Sequence, residues 1–147
     1  MTRLILTLSF ILATMAANAA DTPKSSVAIH TAGCDGKVSS PAIASLKEQI
    51  STSPKYRLVP DLTDEGRMGV VLTIIMACTD RPDVAAVATT YGKAKCFPGA
   101  YCHQAVDGSS LKSALCDSSA PTDCGRSLFK TFDDYTSNPN GVKLQLQ

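Results

Sequence analysis

Tryptophan is absent from this 147-residue chain, and aromatic residues together make up only 5% of it. A core drawn from such a chain is filled mainly by Val, Ile, Leu and Ala. Histidine occurs only at His30 and His103, and no CxxC pair is present. The missing CxxC argues against thioredoxin-like exchange chemistry. Together with histidines that stand out of ligand spacing with the cysteines, it also argues against a metal site. Nor is there a block of one charge: 14 basic and 13 acidic residues leave a net charge of +1. That balance supplies no global field to draw in nucleic acid or an anionic membrane surface. Lys93 and Lys95 make the one tight basic pair of note.

What the chain does have is a leader. Arg3 is followed by an apolar stretch from Leu4 to Ala16, and Ala17-Asn18-Ala19 presents small side chains at the spacing a signal peptidase accepts. The apolar run is well short of the roughly 20 residues that span a hydrocarbon core, and no cysteine stands near the cleavage site to carry a lipid. Residues 1–19 are therefore expected to be a cleaved signal peptide, and the protein to be periplasmic or secreted. Removing Arg3 with the leader balances the remaining charges. About 127 residues remain, enough for one domain.

All six cysteines follow the leader: Cys34, Cys78, Cys96, Cys102, Cys116 and Cys124. An even set in an oxidising compartment predicts three disulfides, out of 15 pairings that six cysteines allow. Cys96–Cys102 closes a short loop around Pro98-Gly99, and Cys116–Cys124 closes another around Ser118-Ser119-Ala120-Pro121. Cys34–Cys78 would then tie the chain ahead of the first helix to the end of a long strand.

Residues 20–33 contain Pro23, small polar residues and the isolated apolar pair Val27 and Ile29, and read as a flexible leader or edge segment turned by Gly33. From Ser40 the pattern is helical: Ser40 is placed to cap, Pro41 suits the first turn, and Ile43, Leu46 and Ile50 recur at spacings of three and four over 41–51. Tyr56–Val59 reads as a short strand stopped by Pro60. Met68–Thr79 is the strongest signal in the chain, an extended strand apolar on both faces, fit to be central or to self-associate. Asp80-Arg81-Pro82-Asp83 turns it into a further strand over 84–95, as an antiparallel hairpin. Leu111, Ala114 and Leu115 suggest a short helical turn into Cys116. Cys124, Leu128, Phe132 and Tyr135 then make one stripe of a final helix over 121–134. Residues 139–147, with Val142, Leu144 and Leu146 alternating, read as a tail or short edge strand.

The expected fold is α+β, a single two-layer domain over 34–138. Amphipathic helices pack on a small three- or four-stranded, mainly antiparallel sheet, stapled by disulfides. The first helix, followed by Tyr56-Arg57-Leu58-Val59 and a long strand, resembles a supersecondary unit of exported assembly and envelope domains. That resemblance implies a two-layer α/β arrangement and names no family.

Catalysis needs a nucleophile, base or metal within reach of a second group. His30 has no spaced partner. His103 follows Cys102 and lacks an identifiable nucleophile. Gly108-Ser109-Ser110 is not a nucleophile elbow, the acidic set Asp61, Asp64 and Glu65 lacks the calcium-loop series, and Gly66-Arg67-Met68-Gly69 lacks the length of a phosphate loop. The candidate contact surface is instead Lys93, Lys95, Phe97, Tyr101 and His103, where a bridged loop would present two aromatic anchors beside positive charge; the same two rings could equally close the end of the core. The expected function is that of a small exported binding or envelope-assembly protein without catalytic activity, cofactor or metal. Its expected partner is another exported or envelope protein, with self-association through a strand edge as a further expectation. A secreted inhibitor presenting the 96–102 loop and a hydrolase using His103 are the alternatives.

Overall fold

The computed structural model describes residues 23–60, 69–96, 103–106 and 111–137. The leader, the loop residues Phe97 and Tyr101, the Cys96–Cys102 bridge and the 139–147 segment lie outside the described residues. Within them the chain runs β1 (Ser25–Ala32), α1 (Ser39–Thr52), β2 (Tyr56–Val59), β3 (Gly69–Asp80), β4 (Val84–Cys96), β5 (His103–Val106), β6 (Lys112–Asp117) and α2 (Pro121–Ser137). The fold is α+β, with both helices packed on a mixed sheet stabilised by two disulfides.

The sheet order is β2-β1-β3-β4-β5, with β6 also paired to β4. β1 is parallel to both β2 and β3, so β1, α1 and β2 make a crossover unit in which the helix returns the chain to the same end of the sheet. β3 and β4 form the long antiparallel hairpin that the short turn between them predicts, paired from Gly69–Cys96 to Asp80–Ala85. β5 and β6 lie end to end along the far side of β4, at Gly92–Lys95 and Val84–Thr89 respectively.

This corrects the expected sheet in three places. Six strands replace three or four; the sheet is mainly antiparallel as expected, with the two pairings of β1 parallel. Ser25–Ala32 is neither a leader nor an edge but an internal strand between β2 and β3, with Val27 and Ala28 buried. Lys112–Asp117 is a strand and not a helical turn. Ala114 and Cys116 face the helices while Leu115 points away from them, which the three- and four-residue spacing of Leu111, Ala114 and Leu115 disguises.

One face of the sheet carries both helices. Val27, Leu72, Ile74, Met76, Ala85, Val87 and Tyr91 meet Ala42, Ile43, Leu46 and Ile50 of α1 and Leu128, Phe132 and Tyr135 of α2 in one apolar cluster. Among the described residues the aromatics are gathered together rather than spread. Phe132 lies between Tyr56 and Tyr91, at ring-centroid distances of 5.1 and 5.7 Å, and Tyr135 stacks on Tyr91 at 5.1 Å. Ala28, Val59 and Val71 form a smaller cluster on the opposite face.

The helices run side by side in the same direction, and their closest approach depends on Gly125. A methyl there would lie 2.3 Å from the carbonyl oxygen of Ala42 and 2.9 Å from the backbone nitrogen of Leu46. Ser45 Oγ donates across the same seam to the Thr122 carbonyl at 3.0 Å.

α1 starts at Ser39, ahead of the expected Ser40 cap, and its N-cap residue Val38 makes no side-chain capping bond. The cap comes from Asp80 at the far end of β3, whose Oδ2 accepts the N–H groups of Val38 at 2.9 Å and Ser39 at 3.1 Å. A carboxylate there also complements the positive end of the helix dipole. Hydrogen bonding from Ser39, with Val38 adding to it, holds the Asp80 carboxyl below its usual range.

Two of the three expected bridges are present. Cys34–Cys78 joins the residues after β1 to β3, with a Cα separation of 4.9 Å, and Gly33 turns the chain into it at φ +66. Cys116–Cys124 joins β6 to the first turn of α2.

Candidate functional site

Both helices begin at the end of the sheet that carries the disulfides and finish at the other end, where the surface opens. There Ser25 of β1, Tyr56 of β2, Leu72 of β3 and Lys93 of β4 line a cleft with Lys55 and the last residues of α2, Tyr135, Thr136 and Ser137. Its volume is about 430 Å³. The sheet register brings the strand residues together: Ser25 stands opposite Tyr56, and Leu72 opposite Lys93.

One wall of the cleft is a hydrogen-bonded clasp. Asp133 on α2 accepts Lys55 Nζ with both oxygens at 2.9 Å and the Tyr56 hydroxyl at 2.7 Å. The Tyr56 hydroxyl also meets Thr136 Oγ1, which donates to the Asp133 carbonyl at 3.0 Å. The Lys55 ammonium, with help from Tyr56, holds the Asp133 carboxyl below its usual range. Burial pushes the Tyr56 phenol up from 10.0 to about 12, so it stands as a neutral donor at physiological pH. The clasp therefore fixes β2 to α2 and neutralises the charge of Lys55.

Lys93 is different. It is exposed on the cleft side of β4, and among the described residues no acidic group pairs with it. Neither helix has a basic residue in its last turn; Lys55 follows α1 closely in the chain, and Lys93 lines the cleft with the last residues of α2, where a cation complements the negative end of a helix dipole. The cleft thus combines one unpaired ammonium, hydroxyls from Tyr56 and Thr136, and apolar surface from Leu72 and Tyr135.

Of the residues expected to form a contact surface, Lys93 lines this cleft. Lys95 is two residues further along β4 and pairs in register with His103 of β5, so the structure brings those two positions side by side. Phe97 and Tyr101 lie outside the described residues. The remaining cleft residues were not legible as a site. Tyr56 and Asp133 are far apart in the chain, and each reads locally as an ordinary strand or helix residue.

Among the described residues no three His, Cys, Asp or Glu side chains gather where they could hold a metal ion. His30 lies on the sheet away from the cleft, and its Nε2 is buried without a partner among the described residues. Among the described residues no helix is long and apolar enough to cross a membrane.

No protein-family model matches this chain, and no curated protein matches it. A solved structure, rare lipoprotein B from Shewanella oneidensis, is similar over 78% of this chain and 98% of its own, with 8% sequence identity and a TM-score of 0.32. A superposition that loose aligns no site and carries no argument about this protein.

Proposed function

We propose that this chain is a small exported binding protein that acts without catalysis. In this reading the cleft at the end of α2 receives an acidic side chain, next to an apolar one, from another exported or envelope protein. The observation that supports it is Lys93, an unpaired cation on a rigid strand beside the apolar surface of Leu72 and Tyr135. A charge left without a partner at the mouth of a cleft gains from an incoming carboxylate without first breaking an ion pair. Lys55 offers no such gain, because Asp133 already holds it. The clasp and the antiparallel hairpin hold the lining in place before binding, which lowers the ordering cost.

The test is an NMR titration with a blocked Glu-Phe dipeptide and its Gln-Phe counterpart. The Glu peptide is expected to shift the amides of Lys93, Tyr135 and Thr136. The Gln peptide, or the Lys93→Gln variant, is expected to lose most of that response. Because Lys93 also faces the dipole of α2, the thermal stability of the variant is measured alongside. Equal responses to both peptides would sink the reading.

A further inference from the structure

We propose that β6 is the seam of a homodimer, in which two copies pair β6 antiparallel about a two-fold axis normal to the sheet, with Leu115 opposite its counterpart. Among the described residues β6 pairs with β4 alone, and no described strand lies against its other edge. The middle of the strand, Ser113–Cys116, carries no charge that would block pairing along its edge. It has no proline, and its two charges, Lys112 and Asp117, stand at its ends. Among the described residues the exposed large hydrophobics are Leu115, 78% exposed, and Leu111, 58% exposed, in β6 and directly before it.

The second copy fits because the strand is complementary to itself. A two-fold axis normal to a sheet keeps its two faces distinct, so each residue must meet one of the same facing in the other copy. Centring the pair on Leu115 satisfies this over Ser113–Asp117. Leu115 meets Leu115, Ala114 meets Cys116 on the helix side, and Ser113 meets Asp117 as hydroxyl to carboxylate. No like charges stand opposite each other. Centring on Ala114 sets Leu115 against Ser113, and centring on Cys116 sets it against Asp117. Centring on Ser113 brings Leu111 to Leu115 but pairs only Lys112–Ala114 within the strand. The Leu115 register also extends the sheet rows: Thr79, Ala86 and Leu115 lie side by side in one copy, and Ala86 is exposed. Pairing makes one apolar strip from Ala86 through both leucines to the second Ala86.

Sedimentation equilibrium of the oxidised protein is expected to show a concentration-dependent dimer. Leu115→Lys, at a side chain exposed in the monomer, places two ammonium groups opposite each other and is expected to weaken the dimer by about tenfold or more. Directly opposed residues of antiparallel strands have Cα atoms about 4.5–5.5 Å apart, within disulfide range. Leu115→Cys is therefore expected to give a covalent dimer on mild oxidation, and Ser113→Cys none. A monomer at every concentration, an undiminished dimer in Leu115→Lys, or cross-linking by Ser113→Cys in place of Leu115→Cys would each overturn the proposal.

Discussion

At one end of the sheet the layers are joined by covalent bonds, and at the other by hydrogen bonds. Cys34–Cys78 and Cys116–Cys124 stand where both helices begin, along with Gly33 and the Asp80 carboxylate that caps α1. Where both helices end, Lys55, Tyr56, Asp133 and Thr136 join β2 to α2, and beside them the surface opens into the cleft. The difference has a physical reason. A helix begins with unsatisfied N–H groups and ends with unsatisfied carbonyls. At α1 the first are met by a carboxylate embedded in the stapled end. The second leave a negative end that favours lysines, one of which has no acidic partner among the described residues. The stapled end fixes the geometry, and the open end is left with polar groups to offer.

Removing the staples is the strongest way to break this comparison. By the chain-entropy relation, closing a loop of 44 residues contributes about 4 kcal/mol and one of 8 residues about 2.5 kcal/mol. Replacing both Cys34 and Cys78 by alanine is therefore expected to cost about 4 kcal/mol in urea unfolding, and the Cys116/Cys124 pair distinctly less. An equal cost for the two would show that loop length does not govern the stapled end.

Gly125→Ala tests the seam between the ends. In an exposed helix this change stabilises by about 1 kcal/mol. Here the new methyl meets backbone atoms of α1 at 2.3 and 2.9 Å, which cannot rotate away. A loss of about 3 kcal/mol is expected. A neutral result would mean that the helices do not approach as described.

The smallest effect sharpens the hydrogen-bonded end. Asp133 titrates below its unfolded value, so its contribution is present above about pH 4 and is lost as pH falls through the depressed folded value. Asp80 and Asp117 at the stapled end are shifted the same way, so the acid arm has contributions from both ends. Asp133→Asn is expected to cost about 1 kcal/mol at neutral pH and to flatten, without abolishing, the acid loss of stability. At the alkaline end Tyr56 and Tyr91 are raised by burial from 10.0 to about 12, so stability falls as pH rises across that interval. Acid and alkaline melts of the wild type and the variant would separate these contributions. An unchanged acid profile would remove Asp133 from the account.

Much of the fold was legible along the chain, and what was missed shares a cause. β3 is a long run rich in β-branched residues, β4 follows it across a Pro-containing turn, and α1 and α2 repeat apolar residues at three and four, so each announces itself locally. β1 did not, because Val27 and Ile29 alone make a weak pattern; its burial comes from lying between two parallel neighbours that are distant in sequence. β6 misled because an exposed leucine stands beside inward Ala114 and Cys116. The α1 cap was sought in Ser40 when it comes from Asp80. Lys93 was legible as a candidate because charge is a property of one residue. Tyr56, Asp133 and Thr136 were not, because the clasp exists only once β2 and α2 meet.

By itself, the sequence determined the periods of the long elements, the even cysteine set and the balance of charge. These follow from bonding and solvation rules that act within a few residues or on the chain as a whole. Only the tertiary structure decided that β1 runs parallel between β2 and β3 inside a mixed sheet, that Gly125 sits between two helices and that a carboxylate from β3 caps α1. It also decided that Lys55 meets Asp133 while Lys93 meets no acidic group among the described residues. Each of these depends on which distant residues share a space of a few ångströms, where sterics and electrostatics act without regard to distance along the chain.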